Sequence, residues 1–297
     1  MIVFTDNHIF KQELKMLKWK IGDTTITQVL EITDGSGSLP LLPDATPEAL
    51  ESIDWLKPNF VSDEGYLILN IQMLIVETPT QKMVVDTCIG NDKNLNMEGW
   101  ANLQLPFLDD LKNLGHDPES VDTVICTHLH VDHVGWNTKK VDGKWLPTFP
   151  NARYLMVEKE YEFWRDLEED PFGDVFGESV APIFEAGMAD FVAPDHVVGE
   201  GVTFESTPGH TPGHVSVNIE SNGEKAVISG DMMHHPCQIA KPEWVTPFDN
   251  DNDAAMATRK VFLEKYADQP VLILGTHFGN PVAGHIVRDG DTYRFDV

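Results

Sequence analysis

The chain has 297 residues, 41% of them hydrophobic and 9% aromatic, enough apolar material for a sizeable core. Its 21 Lys and Arg against 48 Asp and Glu leave a formal charge of −27, a surface that repels phosphate backbones and anionic lipid and so excludes nucleic acid and membranes as partners. The longest apolar stretch, Tyr66 to Val76, is broken by Asn70 and Gln72; the opening residues lack a basic flank; and three scattered cysteines, Cys88, Cys126 and Cys237, give no disulfide framework, so no membrane span or leader is expected and the cytoplasm is the default compartment.

In chain order, residues 7–20 read as a short helix or arm. Residues 1–21 are set apart as an N-terminal arm that could exchange between subunits of a homodimer, with one main domain over 22–297. Residues 23–32 alternate as a strand does. Residues 33–63 are loop-like around a short helix at 47–53 that starts at Thr46-Pro47. Strands at 66–78 and 82–86 are joined through Pro79-Thr80-Gln81, and a helix at 104–114 ends near Gly115. Then one arrangement recurs four times. Val121–Cys126 leads into His128, Val202–Ser206 into Gly209-His210, Ala226–Ser229 into Gly230-Asp231, and Val271–Leu274 into Gly275-Thr276-His277. Each apolar strand delivers a metal-competent side chain just past its C-terminal end, where rigid strands can aim ligands at a common point. Helices are expected at 157–169, 179–189 and 253–266, the last opening with an Asp cap and carrying Met256, Val261, Phe262 and Tyr266 on a core face. Strands alternate with helices, so the fold class is α/β, two packed sheets with helices on both outer faces.

Positions 127–133 read Thr-His-Leu-His-Val-Asp-His, placing His128, His130, Asp132 and His133 within six residues. Imidazole nitrogen and carboxylate oxygen suit divalent zinc, iron, manganese or cobalt. Neighbouring side chains point apart and cannot all reach one ion. The economical solution is two ions, with His128 and His130 on one and Asp132 and His133 on the other, as in a dinuclear metallohydrolase. Two ions about 3.5–4 Å apart share one water oxygen and lower its pKa toward neutrality, making a bridging hydroxide the expected nucleophile. Asp132 is the expected proton shuttle, and Asp86, at a strand end just upstream, is a candidate brace for a ligand imidazole.

With these residues in hand the chain resembles the metallo-β-lactamase superfamily from about residue 22 onward. The resemblance rests on Asp86-Thr87-Cys88-Ile89-Gly90, which looks like the family's Asp-Thr-Gly stretch, on the His128–His133 motif, on Thr207-Pro208-Gly209-His210-Thr211-Pro212-Gly213-His214, on Gly230-Asp231 and on Gly275-Thr276-His277. It implies a four-layer αββα sandwich in a single domain. It assigns His128, His130 and His210 to one metal, Asp132, His133 and His277 to the other, and Asp231 to a bridge between them. Within the superfamily the chain is similar to the branch of N-acyl homoserine lactone lactonases and methyl-parathion-hydrolase-like enzymes. That likeness implies a hydrolase of lactones or carboxylic esters with two divalent ions, zinc first among them. Where β-lactamases of this fold commonly use a Cys, Asp231 stands. Where the lactonases carry a Tyr three residues beyond the bridging Asp, this chain has His234, which either takes over the carbonyl-polarising role or marks a different substrate. Alternative readings are a phosphotriester hydrolase, a glyoxalase II-type thiolester hydrolase, disfavoured because only 20 residues follow His277, and an iron-dependent persulfide dioxygenase.

Trp136, Trp244, Phe248 and Phe278 are candidate walls for an apolar acyl chain or aromatic ester, with Trp244 and Phe248 favoured because Pro236–Asp251 is a long irregular stretch after the bridging Asp. His214 is expected to be a structural hydrogen-bonding residue, and one of His234 and His235 is expected to face the substrate. His8, His116, His196 and His285 are expected at surface positions, and none of the cysteines resembles an activated nucleophile.

Overall fold

The structure is a computed structural model that describes residues 17–37 and 41–297. Most of the expected arm therefore lies outside the described residues. Its last four, Lys18–Ile21, are a strand and not the end of a helix: in Lys-Trp-Lys-Ile the lysines face outward and Ile21 is buried, the alternation of a half-buried strand.

The chain forms two compact units. The first holds Lys18–Glu31 and Ile71–Ala193. Its sheet contains β1 (Lys18–Ile21), β2 (Thr24–Asp34), β3 (Leu69–Glu77), β4 (Lys82–Val85) and β5 (Thr123–Ile125); the hairpin β6 (Thr138–Val141) and β7 (Lys144–Pro147) stands apart, and β8 (Arg153–Val157) and β9 (Ala189–Val192) complete the sheet in the order β1-β2-β3-β4-β5-β8-β9. The pairs β4–β5, β5–β8 and β8–β9 are parallel. β3 (Leu-Asn-Ile-Gln-Met-Leu-Ile-Val-Glu) is buried at eight consecutive positions, its polar Asn70 and Gln72 included.

The second unit holds Ile32–Asn70 and Pro194–Val297. Its sheet runs β10 (Val197–Gly199), β11 (Val202–Ser206), β12 (Val215–Ser221), β13 (Glu224–Ile228), β14 (Val271–Leu274), β15 (Ala283–Asp289) and β16 (Thr292–Asp296) in sequence order. Only β13–β14 among its named pairs is parallel, and the connection between them carries the helix Asn252–Tyr266, whose first turn is capped by the Asp251 carboxylate. Phe262, Leu263 and Tyr266 of this helix pack with Val227, Ile273 and Ile286 of the sheet in one apolar cluster. Val261, expected on the core face, is 69% exposed. The inward stripe is instead Ala255, Arg259, Phe262, Leu263 and Tyr266.

The segment expected as one helix over 179–189 is three pieces: a π-helical turn Phe176–Val180, the helix Ala181–Glu185 with Pro182 in its first turn, and strand β9. Proline has no N–H to continue the preceding turn, and Gly187 takes φ +69 to end the helix. No helix among the described residues is long and apolar enough to cross a membrane.

Candidate metal centre

In the first unit, register positions the chemistry. Val85 of β4 pairs with Ile125 of β5. Asp86 therefore follows one strand and Thr127-His128 the other, side by side, with Asp86 N–H on Ile125 O at 2.9 Å. The Asp86 carboxylate accepts from Thr127 N and Thr127 Oγ1, both at 2.8 Å, and from His133 Nδ1 at 2.9 Å. Asp86 thus braces the His133 imidazole and is held at φ +55. Because Thr127 gives its hydroxyl proton to Asp86, its oxygen is left to accept from His128 Nδ1 at 3.1 Å. His128 Nε2 and His130 Nδ1 face each other at 3.0 Å, a spacing that places a proton or a cation between the two nitrogens. Asp132 Oδ1 lies 3.7 Å from His133 Nε2.

Two acids that the sequence did not single out, Glu160 buried and Glu31 part-buried, support this loop. Glu160 accepts from Leu129 N, between the first two histidines, at 3.1 Å, and from Trp164 Nε1 at 2.7 Å. The Trp164 ring in turn packs edge-on against His130, with centroids 4.9 Å apart. Glu31, on β2, accepts from Ile89 N, Gly90 N and Trp136 Nε1 at 2.8, 3.1 and 2.7 Å. Burial pushes its carboxyl up to about 7 against the pull of those three donors. Trp136 is 3% exposed and stacked on Phe107.

In the second unit, Ile228 pairs with Leu274. Asp231 and His277 each stand three residues further on, and His277 Nε2 lies 3.1 Å from Asp231 Oδ2. Nε2 of His210 and of His234 lie 3.6 and 3.4 Å from the same oxygen. The rear nitrogens are held as in the first unit: His210 Nδ1 on Asp249 Oδ1 and His277 Nδ1 on Asn70 O, each at 2.8 Å. His214 is structural, as expected, and its role is specific. Its Nδ1 meets Thr207 Oγ1 at 2.8 Å and its Nε2 accepts from Asp231 N at 2.9 Å. Gly230 makes room for that contact: it takes φ +59, and a Cβ there would lie 2.5 Å from His214 Nε2.

Of the adjacent pair, His234 turns toward Asp231 and its Nδ1 has no hydrogen-bond partner among the described residues. His235 turns away, with Nε2 on Phe60 O at 2.8 Å and Nδ1 accepting from Cys237 N at 3.1 Å. Burial lowers its pKa to about 4, so it is neutral. Gln238 joins the two sides of the loop, accepting from His234 N at 2.7 Å and donating to Trp244 O at 2.9 Å. Phe248 packs at the margin of the apolar cluster, whereas Phe278 lies within it against Phe295. Cys88, Cys126 and Cys237 are all buried free thiols whose pKa burial raises, in accord with their reading as unactivated.

The donor chemistry of both units fits divalent metal. His133, His210 and His277 each give the rear N–H to a carboxylate or carbonyl, and His128 gives its own to Thr127. That fixes the tautomer and leaves the forward nitrogen as a lone pair. The sequence profile of the metallo-beta-lactamase superfamily matches residues 69–277. The chain belongs to this superfamily. The N-acyl homoserine lactonase AiiA of Bacillus thuringiensis subsp. kurstaki is 30% identical to it over 190 residues, 59% of this chain and 69% of the relative. Among solved structures, the hydrolase AbOPH of the β-lactamase superfamily superposes with TM-score 0.78 at 26% identity, covering 97% of this chain and 99% of that one. AidC, a dizinc quorum-quenching lactonase, gives TM-score 0.75 at 24% identity, covering 94% and 96%, and shows the shared fold. The relatives and neighbours are hydrolases, and in family and fold this chain is one of them, with the superfamily's αββα architecture as the resemblance implied.

Proposed function

We propose that the protein hydrolyses lactones or carboxylic esters, with N-acyl homoserine lactones as the leading substrates. In this reading His128, His130 and His210 hold one divalent ion, Asp132, His133 and His277 hold a second, and Asp231 serves both. Zinc is the first choice for its affinity for imidazole and carboxylate together. The observation that carries the reading is the set of braced imidazoles at strand ends, in a chain whose curated relatives include N-acyl homoserine lactonases.

Bound ions supply the charge that activates a water molecule and polarises an ester carbonyl. The chain's own residues do the rest. Asp86, Asp249, Asn70 and Thr127 hold the imidazoles in one tautomer. Asp132, part-exposed beside His133, carries a proton between nucleophile and leaving group. His234, with Nδ1 uncommitted, donates to the substrate oxygen in place of the lactonase tyrosine. Trp244 and Phe248, on the loop that Gln238 ties to His234, form the apolar wall.

The test is a panel of lactones, aryl esters, phosphotriesters and thiolesters on metal-replete enzyme, with metal counted per chain. Two ions per chain and fastest turnover of lactones or aryl esters are expected. Turnover of thiolesters alone, or retention of a single ion under saturating metal, overturns the reading.

A further inference from the structure

Arg259 is completely buried in the middle of the inward face of the helix Asn252–Tyr266. A guanidinium there is costly unless its donors are met. Nε donates to Met232 O at 3.1 Å, and Nη1 donates to Pro242 O at 2.7 Å and to Trp244 O at 2.9 Å. These carbonyls belong to the start and the middle of the irregular stretch that follows Asp231. The remaining nitrogen, Nη2, has no hydrogen-bond partner among the described residues and lies 4.0 Å from Asp249 Oδ2. The Asp249 side chain is itself fully buried. Its other oxygen, Oδ1, holds His210 Nδ1 at 2.8 Å. The backbone closes the same circuit, with Asn250 N on His210 O at 2.9 Å and Asp251 N on Gly209 O at 3.0 Å.

We propose that Arg259 and Asp249 act as one positioning pair for His210. The guanidinium pins the loop 232–249 at three carbonyls and faces the Asp249 carboxylate, which stays aimed at His210 Nδ1. That hydrogen bond fixes the tautomer in which His210 Nε2 points forward as a lone pair. The carbonyl of Trp244 hangs on the same guanidinium, so one side chain sets both a ligand and the wall beside it. The inference rests on the reading of His210 as a metal ligand.

Cobalt(II) titration of the apo-protein, followed by its visible spectrum, reads the site without turnover. The chains compared are wild type, His210→Ala, Asp249→Asn, Arg259→Met, Arg259→Lys and the double variant Asp249→Asn/Arg259→Met, with circular dichroism as the check on folding. His210→Ala is expected to lose cobalt affinity and alter the spectrum. Asp249→Asn and Arg259→Met are each expected to bind cobalt about 10–100-fold more weakly. The double variant is expected to be no weaker than the weaker single, and Arg259→Lys to recover part of the loss. A purely structural Arg259 would lower the melting temperature and leave cobalt affinity and spectrum unchanged. That result, or losses that multiply in the double variant, overturns the proposal. If Arg259→Met does not fold, Asp249→Asn and Arg259→Lys decide it by the same criterion. Unchanged cobalt uptake in His210→Ala would remove the ligand assignment, and the pair's role with it; loss in His210→Ala with none in Asp249→Asn removes the pair's role alone.

Discussion

Nδ1 of His133 donates to the carboxylate of Asp86 across 2.9 Å, and the same carboxylate takes both the N–H and the hydroxyl of Thr127. One acid thus orients His133 directly and His128 through Thr127. In Asp86→Asn the amide NH2 must face one of these donors, leaving a buried N–H opposed by another. We expect metal affinity, measured by chelator competition, to fall about 10–100-fold, and stability to fall by about 1–3 kcal/mol. Wild-type affinity in the variant would contradict this account of Asp86.

The Trp136–Glu31 contact has a pH signature. The folded pKa of Glu31 is raised from 4.5 to about 7, so the stability associated with its protonated form is lost as pH rises through that window. The Trp136 N–H favours the charged carboxylate. Trp136→Phe removes it and raises the pKa further. The substitution should therefore destabilise the protein more at pH 8, where the wild-type carboxyl is charged, than at pH 5, where it is neutral. Urea unfolding at the two pH values measures the difference, and an equal loss at both would show that the N–H does not act on Glu31.

His235 acts in the opposite direction along the pH axis. Its folded pKa is depressed to about 4 from 6.5. The stability of the neutral ring is fully present above 6.5 and declines as pH falls toward 4, because the unfolded chain takes up the proton first. The full effect is on the order of 3 kcal/mol. His235→Gln should remove that part of the slope, which is visible as the difference between the two unfolding profiles from pH 7 to pH 4.

Cys88 occupies the place of the glycine in the family's Asp-Thr-Gly stretch, and its φ is +54. A side chain in that region costs roughly 1–2 kcal/mol that glycine avoids. Cys88→Gly is therefore expected to be more stable than Cys88→Ala by about 1 kcal/mol, although alanine buries more surface. Denaturant midpoints of the two variants settle the order.

The clustering of histidines and acids at strand ends was legible because each follows an apolar run within a few residues, a local signal. The helix Asn252–Tyr266 was legible as a helix but not in its orientation. Its inward stripe has Arg259 at the centre, and a charge on the buried face defeats any reading by hydropathy, which puts Val261 in the core instead. Asp86, at a strand end beside the His motif, was legible as a brace, but Glu31 and Asp249 were not, for a different reason. Trp136 and Glu31 are 105 positions apart and Asp249 is 39 from His210. Nothing in the sequence near Glu31 or Asp249 distinguishes them from the other acids of a chain that has 48. The 179–189 segment carried its own warning in Pro182 and Gly187, which interrupt what apolar spacing alone suggests.

Under the proposed function, the stretch between Met232 and Asp251 supplies the aromatic wall Trp244 and Phe248 as well as the carboxylate behind His210 and three carbonyls held by Arg259. Substrate range and metal retention are therefore not separable by mutation there. A randomised library across 241–250 that leaves Asp249 free to vary should lose most of its members to demetallation before any selectivity is expressed. One that fixes Asp249 and Arg259 should keep its members loaded and let the aromatic positions drift toward new esters.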